Sequence, residues 1–598
     1  MIGIYGVTGG KFDLKRFLSG SSTSKVSFNY VKNHLGSFGI VYSNFNAPYA
    51  VAKDLNDWIF IDGFVFDDDG KQIFAANILK ESKNNKSYLQ NLNGEFLILA
   101  KLHGELFLIN DIMGQRQHSY AYSKIGSYSV SPSPGLALKI LGEPKKINDK
   151  SLFTFITTKK LRFNRETIWQ NCEVLEPGCI FNIDRGGFHK TKYWNLIHTN
   201  KTKCFNTDKF IDIFKKAVNS RILTKNVGIT LTGGLDSRSI IGAIDNDKLP
   251  SLKAFTMGVL DCEEVLVASN VAKTLNVKFC SYDITPEKVF EKTSLEYFID
   301  EDIELIIQGL WSPFSKSVND SDYLLHGLDF GATLGGFDLP EKLVKIKSTE
   351  DFYNFALTEN LRFNEDMIFR LFKKEKLDEI GLDLGDYIKK SVIESEGNNF
   401  IEKYDSFVMK YSMNRVILQR YRGIRNYIET LSPMYDRNVL NYIFSLDVKE
   451  RVFYKAFYPF INQLSKKLAE LPYQRTNLPA NVSVKFWKNS QKIEKDREEL
   501  CREIARDSGG KDFVPYTRYY TNVDEWMRFN SKWMLAIKDL LQSDNSIIRR
   551  EWLNSDYVDK IIFDHQNHVK SNFGVIQTLM SAEVFLRLEK NITFNMKK

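Results

Sequence analysis

The feature that most restricts the fold of this chain is the run Val227-Gly228-Ile229-Thr230-Leu231, followed at once by Thr232-Gly233-Gly234-Leu235-Asp236-Ser237. Apolar residues ended by a glycine pair read as a buried strand, and residues 237–244 continue as an apolar helix. A strand that turns on glycines into a helix offers backbone N–H groups and the positive end of the helix dipole to an anion. Thr232 and Ser237 add hydroxyl donors. Asp236 adds a carboxylate, which beside a polyphosphate calls for a divalent cation, and Mg²⁺ suits because most of its shell can be water and phosphate. The loop is neither a P-loop, since no GKS or GKT follows, nor a dinucleotide GxGxxG. The heptapeptide alone leaves a plain strand-turn-helix connection open.

The same unit recurs around it. Residues 253–257 read as a second strand, and residues 210–221 and 265–275 as helices, so strands alternating with helices predict a parallel sheet. The chain ahead is different. Short apolar runs such as Trp58-Ile59-Phe60-Ile61, Phe96-Leu97-Ile98-Leu99-Ala100 and Leu106-Phe107-Leu108-Ile109 are separated by turn signals, Asp69-Gly70 and Asn93-Gly94 among them. They predict an antiparallel β domain, closed by the turn Leu175-Glu176-Pro177-Gly178 and a strand from Cys179. After about residue 341 the pattern becomes long-period, aromatic-rich and mainly helical. A chain of 598 residues exceeds one core. Domains are expected at 1–195 and 205–598.

A net charge of +8 over this length is too weak to argue for a nucleic acid or a membrane surface as partner. No apolar run reaches the roughly 18 residues of a membrane span. No signal peptide is legible, and the six cysteines lack CxxC spacing, so a reduced cytoplasmic protein is expected. Eight histidines without an HExxH pattern argue against a zinc enzyme.

Residues 231–237 resemble the SGGLDS loop of asparagine synthetases and their relatives, the β-lactam synthetases and lasso-peptide cyclases. Further likenesses follow in order. Ala254-Phe255-Thr256-Met257-Gly258 resembles the family's second strand, and Glu263-Glu264 with Ala268 and Ala272 its DE…A…A helix. His326-Gly327 followed by Gly335-Gly336-Phe337 resembles SGxGxDExFGGY, Ser432-Pro433-Met434-Tyr435-Asp436 the PFLD turn, and Arg451 the arginine beyond it. In front, Asn93-Gly94-Glu95-Phe96, Asn110-Asp111-Ile112-Met113-Gly114 and Val130-Ser131 resemble landmarks of the glutaminase domain. Thr167, residues 175–178 and Tyr193-Trp194 resemble the junction, and residues 556–586 the closing helices.

The resemblance implies an α/β plus α+β chain. Its front would be a degenerate Ntn-hydrolase-like, glutaminase-type β-rich sandwich. Its rear would be an adenine-nucleotide α-hydrolase-like parallel sheet with a helical extension. It also implies ATP and Mg²⁺, with Leu231 and Met257 backbones at adenine and His326-Gly327 at the ribose. Thr232, Gly233, Gly234, Asp236 and Ser237 would hold the pyrophosphate.

Three departures matter. Ile2 stands where glutamine-hydrolysing members carry the nucleophilic cysteine, and Asp62-Gly63-Phe64-Val65-Phe66 replaces NGEIYN with an acid that would repel an oxyanion. Gly331 stands where the second metal-binding aspartate is expected, leaving Asp329, two residues early, as metal partner to Asp236, and Leu328 replaces a glutamate. In Tyr473-Gln474-Arg475-Thr476-Asn477 the arginine of RxK persists as Arg475, but Asn477 replaces the lysine. Lys485 and Arg238 are the candidate replacements, Arg238 being alternatively a solvated helix charge.

Arg415, Arg420, Arg422 and Arg425 recur at helical spacing ahead of Glu429. They read as an ion-pair network, or as a basic wall with Glu429 as acid or base. Tyr454, Phe457, Tyr458 and Phe460 read as helical core.

The expected chemistry is carboxylate adenylation and transfer to an amine, with Asp236, Arg475 and Glu429 as catalytic residues. The carboxylate would belong to a small molecule or peptide, and the partner would be an ammonia-supplying protein or precursor peptide. The alternatives are asparagine synthesis from ammonia, a lasso-peptide or β-lactam type cyclisation, and a catalytically impaired nucleotide-binding scaffold.

Overall fold

The computed structural model describes the chain except residues 9–11, 22–25, 160–164, 185–186, 197–203, 293, 296–301, 303, 319, 329, 336–338, 426, 509–519 and 591–598; at 419, 484, 488, 491, 495, 498, 502, 505 and 506 it describes the backbone alone. The front half holds two six-stranded antiparallel sheets. One runs Cys172–Val174, Ser119–Tyr122, Tyr128–Ser131, Gly3–Thr8, Gly36–Ser43, Val26–Lys32. The other runs Gly187–Lys192, Cys179–Asp184, Glu105–Asn110, Asn93–Leu102, Asp57–Phe66, Val51–Asp54.

Alternation along the strands sets the layers. Ile4, Phe38 and Ile40 of the first sheet meet Phe60, Leu97, Leu99 and Phe181 of the second in one core. The opposite face of the second sheet, with Ile59, Ile61, Phe96 and Ile98, packs on Ile78 and Leu79 of the helix Ala75–Asn84. The helix Leu14–Ser19 covers the outer face of the first sheet. Asn93-Gly94 is not a turn, as the dipeptide suggested. It opens a ten-residue strand, and Asn93 Nδ2 donates to Asp436 Oδ2 at 2.8 Å. An asparagine–glycine pair signals a hairpin only where the chain reverses, and here a partner from the rear half takes the amide.

The rear half is built on five parallel strands in the order Lys278–Asp283, Leu252–Gly258, Val227–Thr230, Tyr323–Leu325, Glu429–Leu431. The expected helices form as Thr207–Asn219, Leu235–Ala243 and Glu263–Thr274. Asn206 caps the first of these, accepting from Lys209 N–H at 2.9 Å. Phe210 and Phe214 of that helix, Phe330, and Phe457 and Phe460 of the helix Phe457–Leu464 form an aromatic cluster beneath the sheet, with Phe214 stacked on Phe330 at 4.9 Å between centroids. The fifth strand was not anticipated: Glu429 lies beyond the end of its helix, and β pairing with Tyr323 takes over. The chain is thus a mixed α/β protein with β-rich front sheets and a parallel sheet behind. No helix among the described residues is long and apolar enough to cross a membrane.

Candidate nucleotide site

A cavity of about 500 Å³ lies where the strands Val227–Thr230 and Leu252–Gly258 and the chain after Leu325 end. Open parallel sheets place ligands at this edge, because neighbouring connections diverge there. Thr230, Phe255, Thr256, Met257 and Gly327 form its inner surface, and Thr232, Gly234, Asp236 and Ser237 one side. The loop is organised by its own hydroxyls. Thr232 N–H donates to Ser237 Oγ at 3.0 Å, Gly234 N–H to Thr232 Oγ1 at 3.1 Å, and the two hydroxyls lie 3.0 Å apart. No side chain caps the helix Leu235–Ala243, whose N-cap is Gly234. Asp236 sits in its first turn, and Gly331 N–H donates to Asp236 Oδ1 at 3.0 Å. Thr256 is 3% exposed and its hydroxyl has no hydrogen-bond partner among the described residues.

On the other side Arg475 lines the cavity as expected, and so does Arg420, one of the arginines read as an ion-pair network or a basic wall. Gln474, Tyr473, Tyr454 and Glu264, which sequence reasoning does not assign to the site, line it too. Burial pushes the Glu264 carboxyl up to about 7, against the opposing pull of Arg475 and hydrogen bonds from Gly233 and Thr232. Its only signal in the sequence was its place in the glutamate pair opening a helix.

Tyr454 was read as helical core from its spacing to Phe457. Phe457 and Phe460 are core, but Tyr454 precedes the helix and faces the cavity. Phe453 and Tyr454 both adopt left-handed backbone, φ 47° and 65°. Such conformations cost L residues about 1–3 kcal/mol each and persist only where surroundings hold them. Here Tyr454 N–H donates to Gly335 O at 2.6 Å, and Arg451 ties the same turn to Thr333 O at 2.8 Å and to Asp405.

Of the expected site residues, Thr232, Gly234, Asp236, Ser237, Met257, Gly327 and Arg475 line one cavity. Leu231, Gly233 and His326 lie behind it. Leu231 N–H is committed to Phe255 O at 2.8 Å, and Gly233 O accepts from Gln474 N–H at 3.2 Å. The His326 ring stacks on Tyr421 at 3.5 Å, and burial holds its pKa well below the ordinary range, so the ring is neutral. Asp329 and the residues 336–337 of the family-like segment lie outside the described residues.

Arg238 neither reaches the cavity nor meets solvent. It is fully buried, and its guanidinium donates to the carbonyls of Leu468, Leu471 and Pro472 at 3.0, 2.9 and 2.7 Å, pinning that loop to the helix. Asn477 turns away, donating to Glu263 Oε1 at 3.2 Å, and Lys485 is exposed outside the lining.

Glu429 also lies away from the cavity. It accepts from Arg116 Nη1 at 2.7 Å and from Arg425 Nε at 3.5 Å. Arg116 also donates to Thr430 O at 3.0 Å and lies 3.9 Å from Glu95. Arg425 reaches on to Asp62 of the front half. The arginine series is therefore mostly a buried network between the two halves, and Arg420 alone of it lines the cavity.

In the front half, Ile2 is 7% exposed and belongs to the core of Tyr5, Val7, Leu14 and Val41. Ile4 N–H donates to His118 Nε2 at 2.9 Å. Burial alone would raise the pKa of Asp62, but Arg425, Arg116 and His118 take it below the ordinary carboxylate range. Asp62 is thus a permanent anion, held by a cation from the rear half.

Residues 209–328, which contain the loop, Asp236 and Glu264, match the family model described as asparagine synthase. This segment belongs to the asparagine synthase family. No curated protein matches the chain significantly. Among solved structures, the chain is similar to one described as the allosteric regulatory enzyme of purine biosynthesis, at 10% identity, covering 46% of this chain and 80% of that one. It is also similar to the glutamine phosphoribosylpyrophosphate (PRPP) amidotransferase from B. subtilis complexed with ADP and GMP, at 10% identity, covering 67% and 94%. Both have a TM-score of 0.23, too low to carry an argument.

The asparagine synthase segment supplies the loop face of the cavity. The opposite face, with Arg420, Tyr454, Tyr473 and Arg475, comes from the chain beyond it.

Proposed function

We propose that this chain is an ATP-dependent, AMP-forming ligase that joins a carboxylate to an amine without hydrolysing glutamine itself. The observation that carries the reading is the convergence of the Thr232–Ser237 loop, Asp236 and Arg475 on one cavity at the end of a parallel sheet, the loop and Asp236 lying in the segment that matches the asparagine synthase family. Met257 and Gly327 line the nucleoside end, where the unpartnered Thr256 hydroxyl offers a hydrogen bond to ATP. The uncapped first turn of the helix Leu235–Ala243 and Arg475 face the phosphates.

The donor set fits a magnesium ion that arrives with ATP. No group of three or more metal-ligating side chains exists among the described residues, and such an ion needs one or two carboxylates, a place Asp236 fills. Bound magnesium supplies charge neutralisation of the phosphate oxygens.

The substrate carboxylate oxygen attacks the α-phosphorus, forming an acyl–phosphate bond while the bond to the β-phosphate bridging oxygen breaks. Pyrophosphate leaves with that electron pair. An amine then attacks the acyl carbon, AMP departs, and the surplus proton passes to water. Positioning and electrostatics carry the rate, since phosphoryl-type transfer leaves little covalent work for side chains. The amine is free ammonia, ammonia from another protein, or a group within the substrate, as in cyclising ligases.

ATP–pyrophosphate exchange with a panel of small carboxylates and peptides tests this reading. Exchange with at least one supports it. ATP binding without any exchange favours the second reading, a nucleotide-binding scaffold, for which the Gly331 amide seated on Asp236 Oδ1 is the supporting observation.

Two further outcomes are expected. Glu264 titrates near pH 7, and its ionised form adds negative charge beside a loop meant for an anion. ATP affinity therefore falls as pH rises through that value. Calorimetry at about pH 6 and about pH 8 should show a several-fold loss, and E264Q should keep only the dependence due to ATP itself. In the front half, I2C should leave glutamine-dependent glutamate release at the blank level. The position is packed in the core, and the Asp62 anion, in the segment that resembles the oxyanion motif, would repel a developing oxyanion.

A further inference from the structure

Tyr454 and Tyr473 are 6% and 5% exposed, yet both line the cavity and their phenols hydrogen-bond to each other. Arg475 and Asp236 are electrostatic neighbours of both, which places the pair at the phosphate end rather than beside Thr256 and Met257. A phenylalanine would serve the aromatic packing of Tyr454 on Trp487 and Phe457 equally well, so packing does not account for the hydroxyl. Nor does packing alone call for two successive left-handed residues, Phe453 and Tyr454. That turn delivers the Tyr454 side chain to the cavity, fixed by the hydrogen bond from Tyr454 N–H to Gly335 O.

The site also has a need. Arg475 is the one cation of the Tyr473–Asn477 segment, and the Asn477 side chain is engaged with Glu263 outside the cavity lining.

We infer that the Tyr454–Tyr473 pair binds the departing pyrophosphate, its phenolic O–H donating to a phosphate oxygen beside Arg475. The inference rests on the ligase reading above. Each phenol has one donor and two acceptor sites, so the bond between them still leaves one O–H to turn to a phosphate oxygen. Burial raises both pKa values, that of Tyr473 to about 12, so the pair keeps its protons at neutral pH. A neutral donor suits a site where Arg475 already supplies positive charge, and it leaves pyrophosphate free to depart.

Calorimetric titration of Mg²⁺-pyrophosphate, Mg²⁺-ATP and AMP into the full chain, Y454F and Y473F tests this. Both variants keep the ring, and thermal melting checks that they fold. The expected result is a loss of roughly tenfold in pyrophosphate affinity in at least one variant, with AMP affinity unchanged. Pyrophosphate binding within about twofold of wild type in both would overturn the inference alone, as would an equal loss for AMP. A wild-type chain that binds neither ATP nor pyrophosphate would overturn the ligase reading, and this inference with it.

Discussion

Replacing Asp236 with alanine is expected to lower ATP–pyrophosphate exchange by roughly 10²–10³-fold while the chain stays folded. The carboxylate projects from the first turn of a helix whose N-terminus faces the cavity, and it is the one acidic group of the loop. A negative charge there opposes a polyphosphate unless a cation stands between them, so the residue earns its place only with metal-bound ATP. The structural cost of removing it is small by comparison. The hydrogen bond from Gly331 N–H that goes with it is worth about 1 kcal/mol. D236N separates the two effects, because its amide oxygen can still accept from Gly331 while its charge is gone. The same loss of exchange in D236N, with unchanged melting, places the effect on the metal rather than the fold. Exchange in both variants at the wild-type rate would remove Asp236 from the mechanism.

The second large effect is on stability. R116A is expected to destabilise the chain by about 3–5 kcal/mol, because it strips buried Glu95 of its cation and leaves buried Glu429 only the longer contact to Arg425. All three side chains are almost fully buried, and Arg116 joins the front sheet to the fifth strand of the rear sheet through Glu429 and Thr430. The melting temperature should fall by roughly 5–15 °C. E429Q should soften the defect of R116A in the double variant, since it removes the anion left behind. Alone, E429Q should cost stability and leave exchange per folded molecule unchanged. Loss of exchange with full stability would return Glu429 to catalysis.

These two sites also show how far the sequence is readable. The loop is legible because its physics is local: apolar strand, glycine pair, hydroxyls and acid lie within eleven consecutive residues, 227–237. Asp62 illustrates the opposite case. From sequence it is only an acid that spoils an oxyanion hole. In the fold it meets Arg425, more than three hundred residues away, and becomes part of the joint between the halves.

Glu429 and Tyr454 mislead for a related reason. Each continues a helical spacing past the end of a helix, where Glu429 enters a strand and Tyr454 a left-handed turn. Gly423 near the end of the first helix and Pro459 in the first turn of the second are the only local marks near these boundaries, and neither fixes where the helical spacing stops. Arg238 looks like a surface charge because its acceptors, three carbonyls of a loop some 230 residues on, carry no side-chain signature. Side chains set by local backbone are visible in sequence; those set by distant backbone are not.

The most direct test of the account is the identity of the products. Phosphorus NMR of ATP, Mg²⁺ and wild-type chain with a carboxylate that supports exchange, and with an amine present, should show AMP and pyrophosphate rising together in equal amounts. ADP and orthophosphate in their place would put the cleavage at the γ-phosphate and contradict it.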